Sequence, residues 1–220
     1  MTSGMLRNAT SVGIQAVYNG REPQFHHDVA RAIKESKDMV RILGISLADL
    51  CGWWGGKSEP HEAVDAVMGD KSIKVQILFA HPDGDGLFTR ACFEHPGIPY
   101  KDTRAYKQTV NQITATLTSA EPHLENNVEI KLFKDTPTCF LVLTDGLVFI
   151  EQYTYASRGG VNVLFAVKNN TPLYRLHADH FEALWRTSEK ALDYCKSKGI
   201  FIAKGDSKNE EDKSANSIKS

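Results

Sequence analysis

Three closely spaced apolar segments at residues 128–153 form the strongest pattern in the chain. VEIKLF, CFLVLT and LVFIEQY are separated by KDTPT and by Asp145-Gly146. Short runs rich in Val, Ile, Leu and Phe, bounded by Pro, Gly, Asp and Thr, are typical of buried strands, and Asp-Gly is a two-residue hairpin signal. Because only a sheet covered on both faces hides so many apolar side chains, we expect three neighbouring strands in the middle of a sheet.

Helical and extended periods alternate on either side of these segments. The pattern predicts further strands at residues 13–18, 38–46, 73–80 and 161–167. It predicts helices at residues 22–37, 58–68, from 87 onwards, 103–120 and, as one long terminal helix, 173–191. Strands separated by helices are typical of parallel strands with helical crossovers. The predicted fold is therefore α/β, with a mixed, mostly parallel sheet of about six or seven strands flanked by helices.

Composition limits the domain organisation. The chain has 220 residues, of which 41% are hydrophobic and 24% charged, which is enough for one sizeable core. We expect one domain over residues 1–203. Residues 204–220 have almost nothing apolar to bury, which predicts a disordered tail.

Charge and hydropathy limit the partners. There are 26 Lys and Arg residues against 27 Asp and Glu residues, a net charge of -1, so nucleic acid is predicted to be an unlikely partner. No apolar run approaches the roughly 20 residues that span a bilayer, and the first residues lack a signal-peptide core. A cytoplasmic protein without a membrane partner is expected.

The four cysteines bear on metal binding and redox state. Cys51, Cys92, Cys139 and Cys195 are far apart and form no CxxC pair, so we expect reduced, largely buried thiols rather than a zinc site. His177 and His180 stand at helical spacing without a third ligand, which favours solvated side chains over a metal site. No metal and no cofactor are predicted.

The order of strands beginning near residues 39, 73 and 128, followed by the Asp-Gly hairpin, resembles one half of the phospholipase D superfamily over residues 13–188. The diagnostic motif of that family is HxKxxxxD, often followed by Gly. When the motif is aligned through Asp145-Gly146, its histidine falls on Thr138 and its lysine on Phe140. The Gly-Ser step that follows in the family falls on Gln152 and Tyr153, and no HxK occurs elsewhere in the chain.

The resemblance implies a protein that has lost the family's two-step phosphoryl transfer. In that reaction the histidine attacks phosphorus and the lysine holds the phosphate oxygens. Threonine is a poor nucleophile without an adjacent base, and phenylalanine cannot hold an anion. The chain is similar to the catalytically degenerate bacterial modules of this family, whose pocket is thought to bind or sense a ligand. Because catalytic members place two such halves together, the resemblance also implies a possible homodimer.

Candidate ligand-binding residues follow from the predicted strand ends, where open parallel sheets form their crevice. Ser46 and Asp49 are expected to share that crevice with His81. The sequence HPDGDG, residues 81–86, combines glycines and free backbone N–H groups that could cradle an anion, whereas its two carboxylates favour an acidic capped turn instead.

The positions of the lost motif predict a polar pocket. We expect Thr136, Thr138 and Glu151 to line it, with Tyr153 supplying a hydroxyl. Asp145 is also explained by the backbone needs of a hairpin turn. Trp53, in the sequence WWGG, is a candidate for stacking on a base or another ring, although it could equally anchor its loop on the sheet.

Three functions follow from these observations. The first is a non-catalytic module that binds a small, phosphorylated or nucleotide-like ligand through Ser46, His81, Thr138 and Tyr153. The second is a phosphodiesterase, nuclease or phospholipase-type hydrolase with a rearranged site, in which His81 acts with Glu151 or Asp145. The third is a protein-interaction module of a bacterial regulatory or defence system, with Trp53 and Trp54 in the contact.

Overall fold

The computed structural model describes residues 11–48, 50, 58–154 and 162–200. The candidates Asp49 and Trp53, together with Trp54, Cys51 and the predicted tail, lie outside the described residues. Of the remaining cysteines, Cys139 and Cys195 are buried as predicted, whereas Cys92 is exposed. No helix within the described ranges has both the length and the apolar character needed to cross a bilayer.

An eight-stranded mixed sheet forms the centre of the molecule, in the order β1-β7-β6-β5-β2-β3-β4-β8. The α/β class and the mixed sheet flanked by helices are confirmed, with slightly more strands than predicted. Among the described strands, β2 pairs in parallel with β3 and β3 with β4, and the other neighbouring pairs are antiparallel. The strands are β1 Ile14–Asn19, β2 Met39–Gly44, β3 Lys74–Ala80, β4 Val128–Phe133, β5 Cys139–Leu143, β6 Leu147–Gln152, β7 Val163–Lys168 and β8 Glu189–Lys190.

Six α-helices cover the two faces of the sheet in the described part of the chain. They are α1 Pro23–Lys34, α2 Glu59–Gly69, α3 Asp85–Glu94, α4 Arg104–Ala120, α5 Pro172–Thr187 and α6 Ala191–Lys198. Ser58 caps α2 as its position predicts, because its hydroxyl accepts a hydrogen bond from the His61 backbone N–H, with Pro60 in the first turn.

Two predictions about the order of the elements were wrong. The apolar segments at residues 128–153 are strands, but β2 and β3 lie between β5 and β4, so the three are not neighbours. The predicted long terminal helix is divided, because Ser188 is extended and Glu189 and Lys190 pair with β4 as β8. The Ser188 hydroxyl donates to the Leu184 carbonyl and so satisfies the end of α5.

The sheet separates two apolar cores. One face packs against α1, α2, α6 and part of α4. The core on this face includes Phe25, Val64, Leu117 and Tyr194. The other face packs mainly against α5, where the Phe181 and Trp185 rings stack 5.6 Å apart. Because β1, β2, β3, β4 and β6 run in the same direction, their carboxyl ends meet at one edge of the sheet.

Candidate ligand-binding crevice

A cleft of about 320 Å³ opens at the carboxyl ends of β2 and β6, where the strand order predicted a crevice. We call it the arginine cleft, because three arginines from separate parts of the chain line it. It is lined by Arg21, Ile45, Ser46, Leu47, Ala48, Arg90, Glu94, His95, Arg104, Ala105, Gln108, Phe140 and Tyr153.

Arg21 is fixed in the arginine cleft by a buried carboxylate. Its Nε and Nη2 donate to Glu151 Oε2 at 2.9 and 2.7 Å, and the Glu151 side chain is fully buried. Asn162 donates to the other Glu151 oxygen at 3.1 Å. The guanidinium also lies 4.3 Å from the centre of the Phe140 ring, so the residue at the family's lysine position supports a cation instead of supplying one.

Arg90 is a buried cation on α3. It is 5% exposed, donates from Nε to Glu94 Oε1 at 2.9 Å, and lies 4.8 Å from the centre of the Tyr153 ring. Burial raises the pKa of the Tyr153 hydroxyl to about 12, although Arg21, a backbone hydrogen bond at Ile45 and Arg90 each lower it. Tyr153 is therefore a neutral hydroxyl beside the guanidinium groups at physiological pH.

The amino end of α4 adds to the positive potential of the arginine cleft. Arg104 is the first residue of this 17-residue helix, and Ala105 and Gln108 of its first turns also line the cleft. Thr103 caps the helix by accepting from the Tyr106 N–H, and the first turn contains no acidic residue. A helix amino terminus carries a partial positive charge, so it reinforces the arginines as an environment for an anion.

A second cleft of about 230 Å³ adjoins the first. We call it the threonine cleft; its lining residues are Arg90, Thr136, Pro137, Thr138, Gln152, Tyr153 and Thr154. Arg90 and Tyr153 line both clefts, so the pair forms the wall between them. The Tyr153 N–H donates to the Thr138 carbonyl at 2.9 Å, which holds the ends of β5 and β6 together beneath the cleft.

An imidazole approaches Thr138, the residue that aligns with the histidine of the phospholipase D motif. Thr138 Oγ1 lies 3.4 Å from His180 Nε2, on α5. Burial lowers the pKa of His180, and burial together with the nearby His180 lowers the pKa of His177. His177 is 8% exposed, so the prediction of solvated histidines was wrong for this residue.

His81 lies in a different cluster, where it joins β3 to the β8 segment. Its Nδ1 accepts the Asp83 N–H at 2.9 Å, and its Nε2 lies 2.6 Å from Glu189 Oε1. Its ring makes an edge contact with Tyr194 at 4.7 Å. The pKa of His81 is lowered by burial, despite the opposing effect of Glu189.

The space next to the glycines of HPDGDG, where a side chain or an anion would lie, is filled by protein backbone. A Cβ on Gly86 would lie 2.3 Å from the Asp135 carbonyl oxygen, and one on Gly84 would lie 3.1 Å from Lys134 Cα. The glycines thus allow the start of α3 to pack against the loop before β5. The alternative of a structural turn describes this segment better than an anion cradle does.

The predicted site residues do not form a single cluster. Ser46 and Tyr153 line the arginine cleft, and Thr136, Thr138 and Tyr153 line the threonine cleft. His81 lines neither cleft. Glu151 also lines neither; it is buried behind Arg21.

Asp145 lies at the opposite end of the sheet from the clefts. Its carboxylate accepts three backbone N–H groups, from Lys37, Asp38 and Met39, at 2.6, 3.0 and 3.1 Å. Accordingly, the hypothesis that His81 acts with Glu151 or Asp145 finds no support in the geometry, because each of the three has different partners.

The sequence analysis did not identify Arg21, Arg90 and Arg104 as site residues. A signal existed for Arg90, since it falls on the buried side of α3 together with Leu87 and Ala91. A charged residue at a buried helical position is unusual and indicates a partner or a function. Arg21 and Arg104 lie near element ends and carry no comparable signal.

Solved structures of other proteins have a similar architecture, whereas sequence comparisons find no relative. No protein-family model matches the chain, and no curated protein sequence matches it. Among solved structures, phosphatidylserine synthase from Haemophilus influenzae Rd KW20 has a TM-score of 0.51 at 8% identity, covering 80% of this chain and 40% of the synthase. Nuc from Salmonella typhimurium, a phospholipase D family member, has a TM-score of 0.48 at 15% identity, covering 80% of this chain and 97% of Nuc.

The chain therefore has a phospholipase D-like α/β fold, as the resemblance implied. The likeness shows the fold alone, because the identities are low. TrmBL2, an archaeal chromatin protein described with a novel mode of DNA binding, is also similar, with 16% identity and a TM-score of 0.44. The match covers 86% of this chain and 60% of that protein. The prediction, made from net charge, that nucleic acid is an unlikely partner was wrong. Proteins of similar architecture include a DNA-binding protein.

Proposed function

We propose that this protein is a non-catalytic phospholipase D-like module that binds a small phosphorylated ligand in the arginine cleft. The observation that supports this proposal is the convergence of Arg21, Arg90 and Arg104 at the carboxyl ends of the strands. Guanidinium groups offer several N–H donors in a fixed plane, which suits phosphate oxygens.

The charges of the cleft favour an anion. Glu94 pairs with Arg90, and the Glu151 carboxylate is buried behind Arg21, so both carboxylates have cationic partners. Arg104 and the amino end of α4 add further positive charge to the lining of the cleft. Ser46, Gln108 and the neutral Tyr153 hydroxyl add hydrogen-bonding groups without adding negative charge.

The loss of the family's reaction is part of the proposal. Thr138 and Phe140 replace its histidine and lysine, and in the described part of the chain no lysine lines either cleft. A binding module should therefore retain its phosphorylated ligand without turnover.

Thermal denaturation with inorganic phosphate, a sugar phosphate and a nucleoside monophosphate tests the proposal. A ligand that binds only the folded state raises Tm in a saturable manner. We expect Arg104→Gln to abolish the rise. The control Arg175→Gln makes the same change at an exposed position of α5 and should preserve it. Equal responses in the two variants, or no rise in the wild type with any compound, would refute the proposal.

The Thr138–His180 contact favours a second candidate, a hydrolase with a rearranged site. His180 brings an imidazole within 3.4 Å of the position where the family's histidine would stand, and Arg90 would hold the anion. Hydrolysis of a generic phosphodiester by the wild type, abolished in His180→Gln and retained in His123→Gln, would favour this candidate. Stable binding of the same compound without release of product favours the module instead.

A further inference from the structure

The two clefts are adjoining compartments of one crevice. They share Arg90 and Tyr153, whose guanidinium and ring lie 4.8 Å apart as their common wall. A ligand long enough to pass this wall would contact both compartments at once. The wall is held in place, because the Tyr153 N–H bonds to Thr138 and Arg90 is bound by Glu94.

The compartments differ in chemistry. The arginine cleft is lined by three arginines, whereas the threonine cleft adds Pro137 and uncharged polar side chains to the shared Arg90. Thr136, Thr138, Gln152 and Thr154 are all exposed residues, so a ligand in the cleft could reach their side chains. His180, whose pKa is lowered by burial, adds an uncharged imidazole beside Thr138.

The threonine cleft is built on a rigid base. Cys139 and Gln152 are register partners in the β5–β6 hairpin, so Thr138 and Tyr153 extend from paired strands. Thr136 is held from the other side, because Gly86 of α3 packs directly against the backbone of Asp135 and Thr136. Hydroxyl groups fixed in this way can bind a ligand with little loss of side-chain freedom.

We propose that the threonine cleft is a subsite for the neutral, hydroxyl-bearing part of the ligand whose phosphate occupies the arginine cleft. The ligand class is then a phosphate monoester of a polyhydroxylated group, such as a sugar phosphate or the ribose phosphate of a nucleotide. Ligand hydroxyls can both donate to and accept from threonine and glutamine side chains. An apolar chain in the same place could make none of these hydrogen bonds. The inference rests on the proposed function of the arginine cleft.

Calorimetric titration with inorganic phosphate, ribose 5-phosphate and butyl phosphate tests the inference. The three compounds share the phosphate, but only ribose 5-phosphate carries several hydroxyl groups. We expect ribose 5-phosphate to bind about tenfold more tightly than the other two, the equivalent of one good hydrogen bond. In the double variant Thr136→Val, Thr138→Val this preference should disappear while the affinity for inorganic phosphate stays unchanged.

Two further variants keep the test independent of folding defects. Thr138→Ser retains the hydroxyl and should retain the preference. Thr118→Val, at an exposed position on α4 outside both clefts, should behave as the wild type. Equal affinities for ribose 5-phosphate and butyl phosphate, or a preference that survives the double variant, would overturn the inference and leave phosphate binding intact. Failure of all three compounds to bind would overturn the proposed function as well.

Discussion

The two ends of the β5–β6 hairpin use a carboxylate in opposite ways. At the turn, Asp145 accepts three backbone N–H groups and joins the hairpin to the start of β2. At the crevice, Glu151 is fully buried and holds Arg21 at the edge of the arginine cleft. The residue that matches the family motif therefore braces the fold, whereas a residue outside the motif positions a candidate ligand-binding group. The contacts of Asp145 are therefore explained by the architecture of the hairpin.

Glu151→Ala should have the largest effect, because it leaves the guanidinium of Arg21 without its buried partner. Removing one member of a buried ion pair costs about 3–5 kcal/mol of unfolding free energy. We also expect weaker phosphate binding, since Arg21 loses its orientation. Urea denaturation and phosphate titration measure the two effects. A variant as stable as the wild type would show that the pair is not structurally important.

Gly86→Ala should have the next largest effect, a loss of about 3 kcal/mol of unfolding free energy. The new methyl group would clash with the Asp135 carbonyl oxygen at the crevice end of the sheet. The matched control is Gly146→Ala in the hairpin turn, where an added Cβ meets no atom within 4 Å. Thermal denaturation of both variants measures the contrast. Equal losses of stability would contradict the difference in packing between the two ends.

Asp145→Ala should cost about 2 kcal/mol, the typical value for loss of hydrogen bonds to a charged acceptor. Because Asp145 lies far from the clefts, the affinity for phosphate should stay at the wild-type value in the folded variant. Denaturant unfolding and calorimetric titration test both statements. A selective loss of phosphate affinity would mean that the turn and the crevice are coupled.

Lowering the pH should have the smallest effect on the unfolding free energy. The pKa values of His81, His177 and His180 lie below their ordinary value of 6.5 in the folded chain. As pH falls below 6.5, the unfolded chain takes up protons that the folded chain does not, so the unfolding free energy should decrease. Denaturant unfolding across this range measures the slope, and His81→Gln should reduce it. An unchanged slope would show that His81 titrates alike in both states.

Local sequence signals predicted most of the fold. The apolar runs of β4, β5 and β6 and the helical spacing of Phe25, Val29 and Ile33 correspond to observed elements. The division of the terminal helix could not be predicted, because the residues on both sides of Glu189 carry helical spacing and only pairing with β4 extends the segment. Strand order was also missed, since neighbouring runs in the chain need not be neighbours in a sheet.

The candidate site was only partly predictable. Ser46, Thr136, Thr138 and Tyr153 line the two clefts, and their positions follow from strand ends and motif spacing, which are local features of the sequence. The roles of Arg21 and Arg104 depend on contacts over long sequence distances, such as the 130-residue separation between Arg21 and Glu151. His81 and Glu151 were expected to line the crevice, but His81 contacts Glu189 and Asp83, and Glu151 is buried behind Arg21.

The sequence by itself determined the strand and helix segments, the hairpin at Asp145-Gly146 and the presence of Thr138 and Phe140 where the aligned motif has histidine and lysine. These features depend on residue type and on spacing over a few positions. The tertiary structure decided which charges meet: it placed three arginines in one cleft, buried Glu151 behind one of them and brought His180 beside Thr138. The physical reason is that hydrophobic periodicity is local, whereas the burial and pairing of a charged side chain depend on elements distant in the chain.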